Sequence, residues 1–194
     1  MTRIARYLGA AAMALAVAAL AGCSTTYVLD NQVQTFSHLA GPPAKPTYRF
    51  ERLLSQQVDP VQAQLETLAD PALHNAGFRR DDAAPSYSVQ VSARVQRVLS
   101  PYADPWHFGF GFWGRRGGFG AGFPHMESPW YQREVGVVVR DIASNKVVYE
   151  TRAVNDGPYF DNAVVLPAMF TAALQGFPNP PQGARRVDIP LPAR

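Results

Sequence analysis

Apolar and polar residues alternate with a period of two along residues 86–98. Tyr87, Val89, Val91, Ala93 and Val95 are separated by Ser88, Gln90, Ser92, Arg94 and Gln96. That spacing predicts a strand with one buried and one wet face. Residues 131–142 follow the same rule through Val135, Val137 and Val139, and Ser144-Asn145 supplies a turn before 147–154, where Val147, Tyr149 and Ala153 share a face. These three segments are expected to form an antiparallel meander. Residues 47–54 (Tyr48, Phe50, Arg52) and 186–191 (Val187, Ile189, Leu191) read as further strands. Between them the period lengthens. Val61, Leu65, Leu68, Ala72, Leu73 and Ala76 recur at helical spacing, with Asp59 as N-cap, Pro60 in the first helical position, Gln62 completing a capping box and Gly77 just past the end. Pro71 is expected to kink or interrupt this helix. A second helix is expected over 162–176, burying Val165, Met169 and Ala173, with Pro167 in its first turn. The order β-α-β-β-β-α-β predicts an α+β fold, a mostly antiparallel sheet with two helices packed on one face.

Upstream the pattern changes. Arg3 and Arg6 precede an uncharged apolar run over residues 8–21, too short for the ~20 residues a bilayer core requires. The run ends in Leu20-Ala21-Gly22-Cys23, which resembles the bacterial lipoprotein signal. The resemblance implies that residues 1–22 are removed and that the Cys23 thiol carries a diacylglyceryl group. Cys23 is the only cysteine of the chain, so no intrachain disulfide competes for it. Ser24, not aspartate, follows it, which in proteobacterial lipoproteins favours the outer membrane. Residues 23–46 then read as a lipidated cysteine followed by a tether and first strand. Tyr27, Leu29 and Val33 are suited to pairing, while Gly41-Pro42-Pro43 and Pro46 break any longer element.

The body of the chain, 47–194, is expected to be one domain. Its Tyr48-Arg49-Phe50, Gly77-Phe78, Asp141-Ile142-Ala143-Ser144-Asn145-Lys146, Leu166-Pro167-Ala168-Met169, Phe177-Pro178 and Arg185-Arg186-Val187 together resemble the proteobacterial lipoproteins of domain of unknown function 4136. That resemblance covers nearly all of the chain after the leader and implies no catalytic residues. Ser86-Tyr87 stands where members of the family often place an acid, which argues against a fixed carboxylate site there.

Charge excludes one class of partner. The leader takes Arg3 and Arg6 with it, reducing 18 basic residues to 16 against 15 acidic ones and the net charge from +3 to +1. The remaining basic pairs (Arg79-Arg80, Arg115-Arg116, Arg185-Arg186) are scattered, so no nucleic-acid face is expected.

The oddest stretch is the connection 99–130. Residues 109–122 hold seven glycines interleaved with Phe110, Phe112, Trp113 and Phe119, and Trp106 lies just before them. Aromatic rings on such a backbone suit lipid headgroups, sugar rings or the apolar groove of another protein. The same composition also fits a biased insert folding loosely back onto the sheet. Gly109-Phe110-Gly111-Phe112-Trp113-Gly114 matches G-x-G-x-x-G only formally, because no helix follows to receive a pyrophosphate. Asp104, His107, His125 and Glu127 lack the rigid spacing of a metal site. No serine stands in a nucleophile elbow. The expectation is therefore a non-enzymatic outer-membrane lipoprotein facing the periplasm, without metal or cofactor. It would be held to the membrane through Cys23 and would bind or scaffold an envelope protein or glycan through the aromatic loop. The alternative is a periplasmic binding module for a hydrophobic or glycan ligand, using the same loop.

Overall fold

Alternation of apolar residues builds most of one sheet. The computed structural model describes residues 26–100, 129–158 and 161–191. Its strands are β1 (Val28–Ser37), β2 (Thr47–Phe50), β3 (Arg79–Arg80), β4 (Tyr87–Val98), β5 (Trp130–Asp141), β6 (Lys146–Pro158) and β7 (Arg185–Pro190), ordered β3-β2-β4-β5-β6-β1-β7. From β4 to β7 every neighbour is antiparallel, whereas β2 pairs in parallel with both β3 and β4. The helices α1 (Pro60–Asn75) and α2 (Asn162–Ala173) pack against each other, α1 over β3 and β4, α2 over β5, β6, β1 and β7. The fold is the expected α+β, and β4-β5-β6 is the expected meander.

The first difference is β1. Of the stretch read as tether and first strand, ten residues are a strand inside the sheet, held between β6 and β7, with Leu29, Asn31, Val33 and Thr35 buried. Two of these four are polar, which breaks the apolar alternation. Asn31 survives burial by donating to the Leu29 and Val187 carbonyls, both at 3.1 Å, and Thr35 by sharing a 2.8 Å hydrogen bond with Thr151.

Helix α1 starts and stops where its residues require. The Asp59 carboxylate accepts from the Val61 N–H at 2.8 Å. At the other end the Gly77 N–H donates to the His74 carbonyl and the Phe78 N–H to the Leu73 carbonyl, each at 3.0 Å, with Gly77 at φ +100°. This is a Schellman motif, closed by apolar contact between buried Phe78 and Leu73. Its buried stripe, however, is Gln62, Leu65, Glu66, Ala69, Ala72 and Leu73, while Val61 is 66% exposed. Gln62 does not close a capping box; its side-chain amide donates to the Val91 carbonyl at 3.2 Å. Pro71 does not interrupt the helix, because it sits on the exposed side, where the carbonyl left without a donor faces water. Pro167 lies inside α2, beyond its first turn and not in it, because the helix starts at the expected Asn162, five residues before it, where Asp161 caps it by accepting from the Ala163 N–H at 2.9 Å.

Two strand readings also shift. The strand expected over 47–54 stops at Phe50, since Arg52 leaves the ladder for Glu66. A bulge between Val139 and Arg140 moves Val148 in place of Val147 towards the core. Around the core's centre, Phe78 sets its ring against Tyr48, Tyr87 and Phe177 at centroid distances of 6.0, 5.9 and 5.0 Å. Tyr149 meets Phe177 at 4.9 Å.

Candidate functional site

Cys23, the aromatic residues Trp106, Phe110, Phe112, Trp113 and Phe119, and the weighed ligands Asp104, His107, His125 and Glu127 all lie outside the described residues. Their flanks do not, and the sheet brings those flanks together. β1 begins five positions after Cys23, and the Leu191 N–H donates to the Tyr27 carbonyl at 2.8 Å. A Cβ built on Gly157 would lie 3.2 Å from the Tyr27 hydroxyl, so Tyr27 stands against the end of β6. Gly157 pairs with Tyr131 and Tyr131 with Arg97, while Trp130 pairs with Pro158 and Val98. The start of β1, the end of β4 and the start of β5 thus occupy one end of the sheet. The stretch holding the aromatic residues leaves β4 and enters β5 at that end.

Beneath this end lies Arg133, 1% exposed and among the largest fully buried side chains. Its Nε donates to the Asn162 Oδ1 at 3.1 Å, in the first turn of α2, and its guanidinium stacks 5.3 Å from the Tyr131 ring centroid. Burial raises the Tyr27 phenol above its ordinary value, the Asp30 charge adds to this, and Arg133 works against it. Nearby, the Asn155 side chain donates to the Asp30 carbonyl at 2.8 Å. Arg133 went unnoticed in the sequence because it occupies a buried position of β5, in phase with Val135, Val137 and Val139, where the pattern calls for an apolar residue.

A second feature sits at the opposite edge. A shallow cleft of ≈350 Å³ is lined by Phe50, Arg52, Gln57, Glu66, Arg80 and Asp82. Arg52 Nε and Nη2 each donate at 2.6 Å to the two carboxylate oxygens of Glu66, whose side chain is 3% exposed. Arg80 stacks 5.1 Å from the Phe50 centroid and donates to Asp82 at 3.2 Å. Every charge here is engaged by a neighbour, so the cleft offers recognition by stacking and guanidinium contacts, not a poised acid or base. The sequence pointed to Arg52 only as a strand residue and did not single out Glu66 at all.

Among the described residues no group of three His, Cys, Asp or Glu side chains is placed to hold a metal ion. No described helix is long and apolar enough to cross a membrane.

The model of a domain of unknown function (DUF4136) matches residues 31–179. No curated protein matches the sequence. Among solved structures, a PDZ domain protein from Parabacteroides distasonis ATCC 8503 is similar in fold, with a TM-score of 0.51 and 16% identity, covering 84% of this chain and 39% of that one. The chain therefore spans about two fifths of that protein's length. Two PelC dodecamer structures from Paraburkholderia phytofirmans give TM-scores of 0.46 and 0.47 at 11% identity, covering 74% of this chain and 94% of theirs.

Proposed function

This chain belongs to the DUF4136 family, and from that premise we propose that it is a non-enzymatic, lipid-anchored binding or scaffolding protein on the periplasmic face of the outer membrane. Residues 1–22 act as the export leader and Cys23 carries the lipid. The contact surface is the aromatic stretch with Trp106, Phe110, Phe112, Trp113 and Phe119.

One observation carries this reading. The chain leaving Cys23 and the chain bearing those aromatic residues meet the sheet at the same end. From Cys23 to Val28, five residue steps at ~3.3–3.6 Å span at most about 18 Å. An anchor so short keeps that end of the domain against the membrane, including the strand ends from which the aromatic stretch departs. One acyl chain binds a bilayer marginally, and two or three hold almost permanently, at about 0.8 kcal/mol per buried CH₂. Engagement of Glu66 by Arg52 supports a role in recognition without turnover.

The test is mass spectrometry of the N-terminal peptide of the native protein together with envelope fractionation. Diacylglyceryl-modified Cys23 as first residue, and release of a Cys23→Ser chain from the membrane fraction, are the expected results. An unmodified Cys23 with the leader retained would overturn the proposal.

A further inference from the structure

β2 covers only the first residues of β4, its last pair being Phe50 with Val89. The Glu51 N–H then donates to the Val89 carbonyl at 2.9 Å, and the Gln62 side chain takes the Val91 carbonyl. Past Val91, no described strand pairs with this side of β4, although β5 continues along the other side to Val98. Each residue of an antiparallel strand points both main-chain groups to one side, alternating along the chain. Because Val89 faces β2, Ala93, Val95 and Arg97 face outward, with donors and acceptors set for a ladder.

Arg94 and Arg97 put charge on this edge, but the devices that would break or cover it, a proline, a bulge or a covering helix, are absent from it. Residues 92–98 contain no proline, and the β4–β5 register runs without a break. The covering helix falls short, since the first turn of α1 reaches Val91 and leaves Ala93 and Val95 (38% exposed) uncovered on the helix side. Segment 51–62 is pinned to the edge at both ends, by Glu51 and Gln62. Its Leu53, Leu54, Val58 and Val61, 56–87% exposed, therefore lie beside the point where the edge opens.

From this we infer that the free edge of β4 docks an extended acidic segment of a partner protein by strand addition. Charge decides the occupant. Residues 92–98 carry Arg94 and Arg97 and no acid, and Glu134, opposite Arg94 on β5, is taken by Arg152 at 3.3 Å. A second copy of this chain would set four guanidiniums along one ladder with no carboxylate to match. A segment alternating apolar and acidic residues packs its apolar face on Ala93 and Val95 and turns its acidic face towards Arg94. This inference rests on the binding and scaffolding reading, and not on the anchor.

The test is fluorescence anisotropy of the purified full-length chain with a labelled nine-residue peptide of alternating valine and glutamate. Controls are the same peptide with lysine for glutamate, and the acidic peptide N-methylated at its valines. The acidic peptide is expected to bind at least tenfold tighter than the lysine peptide and to lose binding on N-methylation. Val95→Pro should weaken it at least tenfold, and Arg94→Glu with Arg97→Glu should reverse the preference. Should Val95→Pro fail to fold by circular dichroism, the charge reversal at two exposed positions carries the test. Equal binding of the acidic and lysine peptides, or indifference to N-methylation, would overturn the inference. So would a wild-type dimer in sedimentation equilibrium that Val95→Pro separates, since the edge would then belong to a second copy. A Cys23→Ser chain should bind the acidic peptide as wild type does, so a failed anchor and a failed docking edge read out separately.

Discussion

Tyr149→Phe isolates one buried hydroxyl. The Tyr149 side chain is 1% exposed and its Oη has no hydrogen-bond partner. Thr35 and Thr151 lie near it but bond each other, and Thr151 also donates to the Ala173 carbonyl at 2.8 Å. A hydroxyl buried without a partner costs roughly 1–3 kcal/mol. Removing it while keeping the ring against Phe177 should raise stability at pH 7 by about 1 kcal/mol, or about 2–4 °C in Tm for a domain of this size. The same burial pushes the phenol up to about 12, with the Thr35 hydroxyl, the Arg185 charge and the Thr151 hydroxyl, which favour the phenolate, pulling the other way. The unfolded chain releases that proton near its ordinary value of 10.0. Between those two pH values the folded state holds more protons than the unfolded one. The contribution of Tyr149 is therefore complete below pH 10 and is lost as pH rises towards 12, a fall of about 2–3 kcal/mol. Urea unfolding followed by tryptophan fluorescence at pH 7, 9, 10 and 11 measures both effects. The variant should be the more stable at pH 7 and should decline less steeply above pH 10. A loss of more than about 1 kcal/mol at pH 7 would show that the hydroxyl is bonded after all and would refute the reasoning.

Three further outcomes follow from the packing. Gly77→Ala should cost about 1–2 kcal/mol, because φ is +100° there while a Cβ would meet nothing within 4 Å; Gly41→Ala, equally unhindered and without a positive φ, should be neutral or slightly stabilising, and thermal melts of the pair separate backbone strain from crowding. Phe78→Ala empties a fully buried site among three aromatic rings and should cost about 3–5 kcal/mol in urea titration. Thr151→Val removes the hydroxyl that joins β6 to Thr35 and to the last turn of α2, and should cost about 1–2 kcal/mol, with faster amide exchange at the C-terminal turn of α2 as the local readout.

What the sequence disclosed was whatever local chemistry dictates. Asp59, Pro60 and Gly77 fix the ends of α1, and the valines of β4 and β5 fix the pairing of the meander. The misses share one cause, which is that burial depends on distant partners. Val61 fits an apolar stripe, yet it faces water because Gln62 and Glu66 take the inward positions to reach Val91 and Arg52. Ala93 and Val95 continue a perfect alternation, but α1 ends its cover before reaching them. Arg133, Asn31 and Asn155 sit in buried register because acceptors on α2, β7 and β1 take their side-chain N–H groups, and no window of neighbouring residues contains those partners. One end of the sheet is legible only in half. Cys23 and the aromatic stretch stand out by composition, but that the strand ends flanking them lie side by side depends on the ladder from β4 through β5 and β6 to Tyr27.

The position of β1 between β6 and β7 bears on how the protein comes to be folded. Asn31 bonds the Val187 carbonyl across 156 positions of sequence. A ribosome delivers β1 first and both of its neighbours last, so the earliest strand must wait, edges bare, while nearly the whole polypeptide emerges behind it. Closing so long a loop before any contact rewards it slows the search for the native state. A chain cut short before β7 would keep β6 on one side of this strand and leave its other edge bare for good.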